Sequence, residues 1–197
     1  PAGVAWFWQA VLEDLDIRFH RPYSKILNCP NGPARPEWCV GGGMNIVHNC
    51  LDKYAGTATD RKTALVWEDE DGQTRRVSYA ELRGEVNRMA GALRSLGLGK
   101  GDAIGVFMPM TPEIVVAMLA IIKIGGIFLP LFSGYGASAI VSRLRDADAK
   151  ALFTADGCRR RGKVSLMKPV ADEAAAQVPT LRHVIVLKRL GVDIPWN

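Results

Sequence analysis

Positive charge is concentrated in one short segment, residues 158–163, with the sequence CRRRGK. It follows the apolar run ALFT at 151–154, which is typical of a buried strand, and Asp156 and Gly157 separate the two. Ligands of open α/β sheets bind beside the carboxyl ends of strands, so a basic segment in this position could hold a phosphate. The residues alone also allow a simpler interpretation, a solvated basic loop that binds nothing.

Two other groups of residues have the composition of a metal site without its pattern. The carboxylates at 68–71, EDED, fall at a predicted hairpin tip, where solvated carboxylates are ordinary. The cysteines show no CxxC spacing and no paired histidines, so neither a zinc site nor a disulfide framework is indicated; they are Cys29, Cys39, Cys50 and Cys158. We therefore expect no bound metal and a reducing, cytoplasmic location.

The residue patterns of nucleotide chemistry and of nucleophilic catalysis are missing. The run GGG at 41–43 has no strand before it and no GK[ST] after it, which indicates a flexible turn. No glycine-rich loop opens a helix to cradle phosphates, and no nucleophile–base pair can be named. We expect no catalytic residue in this chain.

The overall charge argues against a nucleic-acid partner. The chain has 25 Lys and Arg against 20 Asp and Glu in 197 residues, a net charge of +5 that is spread out except at 158–163. A nucleic-acid module more often concentrates basic residues beside aromatic ones. The 48% of hydrophobic residues is enough for one domain, with room for an extension.

Residues 1–60 are predicted to form a helical and irregular extension. A first helix covers 4–15 with one apolar face, and a long Pro- and Gly-rich stretch, 18–43, follows. Asn45 is placed to cap a second helix. That helix should keep His48 and Asn49 off its buried face; the residues expected on the face are Ile46, Val47, Cys50, Leu51 and Tyr54.

Residues 61–197 are predicted to form an α/β unit. Residues 63–79 have the pattern of a hairpin with a turn at Asp71 and Gly72, and Ser78 and Glu81 have the spacing of a capping box. Strands and helices then alternate, which predicts a mostly parallel sheet covered by helices on both faces. The strands are expected at 103–108, 127–131, 151–154 and 183–188, and the helices at 82–96, 112–124, 137–147 and 171–177.

The most apolar stretch, 111–131, should be a soluble core element. Thr111 can cap a helix that Pro112 begins, and the helix, apolar on all sides, should be covered all round. The stretch is long enough to suggest a membrane span of about 20 residues. Lys123, the double glycine at 125–126 and Pro130 argue instead for a buried helix, a turn and a buried strand.

These elements resemble the amino-terminal part of the AMP-forming acyl-CoA synthetases, in the acetyl-CoA and propionyl-CoA synthetase branch of the adenylate-forming family. VSYAEL at 77–82 is similar to the first motif shared by the family, and IIKIGGIFLPLF at 121–132 to the second. The opening WFWQAVLEDLDIRFHRPYSKIL, with EWCVGGGMNIVHNCLDKY behind it, resembles the extension of the acetyl-CoA branch. The resemblance covers essentially the whole chain.

The resemblance implies an enzyme that uses ATP, CoA and Mg to convert a small carboxylic acid to an acyl-adenylate and then to a CoA thioester. The family's phosphate-binding loop, ribose-binding aspartate, hinge and carboxy-terminal lysine have no counterpart in this sequence. We therefore expect an amino-terminal fragment that begins at a processing or artificial boundary and is inactive alone. Such a piece should expose apolar surface and is expected to self-associate.

The resemblance also assigns a role to the basic segment, as part of the site for the phosphorylated adenosine end of CoA. By residue match, Arg160 and Lys163 would contact phosphate, and the backbone at Arg161 and Gly162 would come close to it. Gly134 matches a glycine that lies along CoA. Lys163 stands where the branch often has arginine, which keeps the charge and loses bidentate geometry. A stand-alone, non-catalytic α/β binding domain is the alternative function.

Overall fold

The computed structural model describes residues 2–195, and its contacts divide the chain into two units, residues 1–53 and 54–197. The α-helices are α1 Ala2–Asp14, α2 Ile46–Cys50, α3 Tyr79–Ser95, α4 Pro112–Lys123, α5 Ala137–Asp146 and α6 Lys168–Ala175, with short 3-10 helices at Asp52–Tyr54 and Ala58–Arg61. The strands are β1 Lys25–Asn28, β2 Glu37–Val40, β3 Thr63–Glu68, β4 Thr74–Ser78, β5 Ala103–Val106, β6 Ile127–Pro130, β7 Ala151–Ala155, β8 Gly157–Arg160, β9 Lys163–Leu166 and β10 His183–Leu187.

The first unit contains a hairpin where the sequence predicts only an irregular stretch. Strands β1 and β2 pair antiparallel, with Leu27 opposite Trp38. The two strands are four residues each, too short for alternation to stand out, and a Pro- and Gly-rich loop separates them. The predicted first helix is confirmed as α1, whose Trp8 packs edge-on against Trp38 at a centroid distance of 5.9 Å. On its predicted apolar face, Val11 and Leu12 are half-buried, whereas Trp8 and Leu15 are exposed.

The second helix is shorter than predicted and buries a different set of side chains. Asn45 caps it, accepting the N–H of Val47 at 3.0 Å, and Val47 is buried as expected. Asn49, predicted to lie off the buried face, is only 4% exposed. Its side-chain amide forms two hydrogen bonds with the backbone of Arg18: the carboxamide oxygen accepts the Arg18 N–H at 2.7 Å, and the NH₂ group donates to the Arg18 carbonyl at 2.9 Å. Ile46, predicted inward, is 47% exposed.

The second unit is built on a four-stranded sheet in the order β10-β7-β5-β6. All three neighbouring pairs are parallel, and Gly105 in the centre of β5 lies opposite Leu152 of β7 and Leu129 of β6. This confirms the predicted parallel sheet and all four of its strands. The carboxyl ends of these strands therefore meet at one edge of the sheet.

Helices flank this sheet, as the alternation predicts. The connection from β5 to β6 and the connection from β6 to β7 cross the sheet in opposite directions, so right-handed crossovers place α4 and α5 on opposite faces. Helix α3 packs with α4, and α6 packs with α5. The core cluster between the sheet and the pair α5–α6 includes Phe107, Ile140, Leu144, Leu152 and Ala171.

Burial differs between the centre of the sheet and its edges. Strands β5 and β7 are buried at every residue, whereas β6, predicted buried, is an edge strand with Ile127 54% exposed. Helix α4 is likewise not covered all round, because Ile114 and Val115 on it are only half-buried. Among the described residues, every helix is too short or too polar to cross a bilayer.

Most of the local signals are confirmed; Thr111 is the N-cap residue of α4 as predicted, but without the side-chain hydrogen bond of a cap. The β3–β4 turn places Gly72 at φ 78°, and Ser78 and Glu81 form the reciprocal capping box at the start of α3. Thr111 precedes α4 but makes no side-chain cap bond, and its buried Oγ1 has no hydrogen-bond partner within residues 2–195. Pro112 at the first helical position supports the start of this helix.

Candidate functional site

The basic segment forms a β-hairpin, which corrects the predicted loop. Strands β8 and β9 pair antiparallel, with Arg160 opposite Lys163 at their end. The two turn residues between them, Arg161 and Gly162, have φ values of 52° and 71°. Positive φ at both positions is the geometry of the tight type I′ hairpin turn. A turn with a single glycine between an arginine and a lysine does not stand out in the sequence, so the pattern suggests a loop.

The hairpin lies at the sheet edge that the sequence predicts. One residue separates the end of β7 from the start of the hairpin, and Gly134 follows the end of β6, which is separated from β7 by β5 in the sheet. A Cβ built on Gly134 would lie 3.3 Å from Nη1 of Arg160, so these two predicted site residues are brought together. The nearest atom to that Cβ would be Cε1 of Phe132, at 2.7 Å, so glycine at position 134 leaves room for the Phe132 ring beside the guanidinium.

An exposed aromatic ring completes this corner of the site. Phe132 is 58% exposed, and its ring centroid lies 5.9 Å from the guanidinium carbon of Arg160. It packs edge-on against Tyr135, over which the guanidinium of Arg143 sits at 4.4 Å. A guanidinium beside an open ring face can bind a phosphate and stack on a base. The segment FSGYG after an apolar strand is the sequence signal that could have marked Phe132.

The cations of the hairpin are exposed and face one another. Arg160, Arg161 and Lys163 are all exposed, and Arg160 and Lys163 occupy directly opposite positions. Like charges placed opposite each other across two strands are destabilising. An anion bound between Arg160 and Lys163 would remove that repulsion, which suits this end of the hairpin to a phosphate group.

The turn of the hairpin is already hydrogen-bonded to a carboxylate. Glu70, at the β3–β4 turn, accepts the N–H of Arg161 at 2.9 Å through Oε1 and the N–H of Gly162 at 3.1 Å through Oε2. These two hydrogen bonds, with the charges of Arg159 and Arg160, lower the pKa of Glu70. Glu70 is exposed, as predicted for a carboxylate at a hairpin tip, but it also binds the turn of the basic hairpin. Nothing near it in the sequence indicates a contact 91 residues away.

A buried carboxylate holds the base of the hairpin. Asp156 is fully buried and accepts backbone N–H groups from Gly157, Arg189, Leu190 and Gly191 at 2.7–3.1 Å. Burial raises the pKa of Asp156, and these N–H donors together outweigh it, so its pKa is lower than that of an ordinary aspartate. Asp156 thus ties the start of β8 to the segment that follows β10. The sequence shows it only as a residue after a strand.

The hairpin forms one wall of an open cleft with a volume of about 330 Å³. This lies at the small end of the range for ligand sites. Its lining includes Trp67, Glu70, Met110, Ser133, Arg160 and Arg189. Within the described part of the chain, no group of three or more His, Cys, Asp or Glu side chains is arranged to hold a metal ion.

Comparison with known proteins shows the family to which this chain belongs. Residues 3–50 match the model for the acetyl-coenzyme A synthetase N-terminus. Residues 51–196, about three quarters of the chain, match the model described as AMP-binding enzyme. The chain belongs to the AMP-binding enzyme family. The resemblance predicted from the motifs at 77–82 and 121–132 is thereby confirmed.

Relatives within the AMP-binding enzyme family match nearly the whole of this chain. An acetyl-coenzyme A synthetase of Mycolicibacterium smegmatis is 39% identical over 192 residues, which are 97% of this chain and 20% of the relative. A 3-hydroxypropionyl-coenzyme A synthetase of Metallosphaera sedula is 39% identical over 96% of this chain and 29% of its own length. The solved acetoacetyl-CoA synthetase from Streptomyces lividans superposes with a TM-score of 0.88 at 34% identity, over 98% of this chain and 30% of that one. The chain thus spans less than a third of the length of these relatives.

Proposed function

We propose that this chain is the amino-terminal part of an AMP-forming acyl-CoA synthetase that activates a small carboxylic acid with ATP and transfers the acyl group to CoA. Residues 1–60 are the extension of the acetyl-CoA synthetase type, and residues 61–197 are the first, incomplete α/β subdomain of the adenylating domain. The whole enzyme would use ATP, CoA and Mg. No residue of this chain is assigned to catalysis, so its contribution is scaffold and binding.

The names of the relatives support CoA as the common ligand and leave the acid open. They are acetyl-, 3-hydroxypropionyl- and acetoacetyl-CoA synthetases, which differ in the acyl group and share CoA. A reducing compartment such as the cytoplasm suits the four cysteines, none of which forms a disulfide within the described residues. Nucleic acid and membranes are not among the proposed partners. The alternative of a stand-alone binding domain is not favoured, because the matched relatives are synthetases.

The β8–β9 hairpin is proposed to hold the phosphorylated adenosine end of CoA. The observation that carries this proposal is the approach of Arg160 to Gly134 at the carboxyl edge of the sheet, in a chain of this family. Arg160 and Lys163 would contact the phosphate, and the backbone at Arg161 and Gly162 would approach it. All five proposed residues lie on the loop after β6 or on the hairpin after β7.

The expected affinity of this chain alone is low. Two charge-assisted hydrogen bonds contribute about 3–6 kcal/mol together, and the ordering of the ligand and side chains offsets much of that. A net binding free energy near 4 kcal/mol corresponds to a Kd of about 1 mM. The test therefore needs a method that detects weak binding.

Titration of CoA into the ¹⁵N-labelled chain, followed by NMR, tests the proposal. We expect the amide signals of Gly134 and of residues 158–163 to shift, with a Kd of about 1 mM or weaker. Dephospho-CoA, which lacks the 3′-phosphate, should shift the hairpin signals less at the same concentration. Arg160→Ala should weaken CoA binding at least several-fold, because it removes a charge-assisted contact.

A matched arginine outside the site controls for general charge. Arg94 is exposed two residues before Leu96, whose carbonyl is 3.2 Å from Nε2 of His183 at the start of β10. Arg94 therefore lies at the opposite edge of the sheet, and Arg94→Ala should leave the titration unchanged. Shifts confined to residues away from Gly134 and the hairpin would remove the assignment.

A further inference from the structure

The β8–β9 turn presents an anion site that the chain itself fills. Two consecutive backbone N–H groups, from Arg161 and Gly162, point to one carboxylate, and each of its oxygens accepts one of them. Consecutive amides in a turn form a concavity that favours anions. A phosphate monoester can present two oxygens in the same way. Glu70 therefore occupies the position that a phosphate at this turn would take.

Glu70 is held in this position by its own hairpin. Asp69 at the same turn accepts the N–H groups of Asp71 and Gln73 through Oδ1, which fixes the backbone on both sides of Glu70. Three residues before Glu70, the indole of Trp67 donates to the carbonyl of Met110 at 2.9 Å. The β3–β4 tip is therefore anchored beside the basic hairpin by contacts that do not involve Glu70.

We propose that Glu70 is a built-in competitor of the ligand phosphate at the β8–β9 turn, so that a phosphate reaches the turn amides only by displacing this carboxylate. This inference rests on the proposed function, because it concerns the same hairpin. Glu70 also places a negative charge beside Arg159 and Arg160, which reduces the positive potential that attracts an anion. Its lowered pKa keeps it ionised at neutral pH, so protonation does not empty the turn under ordinary conditions.

Removing the charge of Glu70 should therefore strengthen the binding of phosphate ligands. In Glu70→Gln the side-chain oxygen can still accept one turn N–H, but the NH₂ group cannot accept the other. We expect this variant to bind adenosine 3′,5′-bisphosphate about tenfold more tightly than the parent chain, since one unit charge next to a phosphate has an effect of that order at a solvated surface. The gain should shrink in high salt, where exposed charges are screened.

The measurement is an NMR titration of adenosine 3′,5′-bisphosphate into ¹⁵N-labelled parent and variant, with the amide of Gly162 as the main reporter. Asp71→Asn is the matched control. Asp71 follows Glu70 directly, so this substitution removes the same charge, but the Asp71 side chain makes no bond to the β8–β9 turn. We expect Asp71→Asn to change the Kd less than twofold. Unchanged amide signals outside the two hairpins would show that both variants keep the fold.

The outcomes separate this inference from the proposed function. If Arg160→Ala weakens binding and Glu70→Gln does not strengthen it, the competitor role is wrong and the proposed function stands. Equal gains in Glu70→Gln and Asp71→Asn would also overturn it, because the effect would then be one of general charge. If the parent and Glu70→Gln both leave the hairpin amides unshifted, the inference and the proposed CoA site fall together.

Discussion

Replacement of Asp156 with alanine should lower the free energy of unfolding of the second unit by about 3–5 kcal/mol. The side chain is fully buried and accepts N–H groups from Gly157, Arg189, Leu190 and Gly191. Alanine would leave the buried N–H of Gly157 and the part-buried N–H groups of residues 189–191 without their acceptor, and each donor left unsatisfied is costly. The loss of stability should be measurable by urea unfolding, with circular dichroism as the probe.

Two further variants define the cause of this loss. Asp146, at the end of α5, is exposed, so Asp146→Ala should change the free energy of unfolding by no more than about 0.5 kcal/mol. Asp156→Asn keeps one acceptor oxygen but turns an NH₂ group towards backbone donors. Its free energy of unfolding should therefore lie between those of the parent and Asp156→Ala. A loss of less than about 1 kcal/mol in Asp156→Ala would show that the donors find other partners.

Because of the same contacts, the loss of stability in Asp156→Ala should depend on pH. The pKa of Asp156 is lower in the folded state than in the unfolded chain, so the native protein binds fewer protons there. The contribution of Asp156 to stability is therefore fully present above about pH 4, which is the pKa of an aspartate in the unfolded chain. It is lost as the pH falls through the pKa of Asp156 in the folded protein. The difference in stability between the parent and Asp156→Ala should narrow over that acidic range.

Replacement of Leu144 with alanine should lower the free energy of unfolding by about 2–5 kcal/mol, because the fully buried leucine side chain fills the space between α5 and the sheet. This site is coupled to Gly105 in the central strand β5. A Cβ built on Gly105 would lie 2.6 Å from Cδ2 of Leu144, 3.0 Å from Cδ1 of Leu152 and 3.2 Å from Cδ1 of Leu131. Gly105→Ala alone should therefore cost about 1–3 kcal/mol by overpacking.

The double variant tests whether the two residues share this space. In Leu144→Ala, the added methyl group of Gly105→Ala enters the cavity that the leucine leaves, so the double variant should lose about 1 kcal/mol less than the sum of the single losses. Leu96→Ala, at a residue 41% exposed, is the control and should cost less than about 1 kcal/mol. Urea unfolding measures the parent and the four variants, and strictly additive losses in the double variant would contradict the coupling.

The sequence by itself determined the elements whose signals are local. The turn at Asp71 and Gly72, the capping box of Ser78 and Glu81, and the apolar strands at 103–106 and 151–155 depend on residues within about ten positions of each other. Hairpin chemistry, capping and hydrophobic periodicity act over that distance. They were sufficient to predict a parallel α/β sheet, and the motifs within it were sufficient to predict the family.

The tertiary structure decided which distant residues meet. The sheet order leaves β6 at an edge, Asn49 is buried because it binds the backbone of Arg18, and Glu70 reaches the turn at Arg161 and Gly162. These contacts join residues 31 to 92 positions apart and depend on how whole elements pack. A buried or bonded polar side chain has no periodicity of its own, since its partners are backbone groups that every residue carries. Only the packed chain shows that the basic segment is a hairpin already bound by a carboxylate.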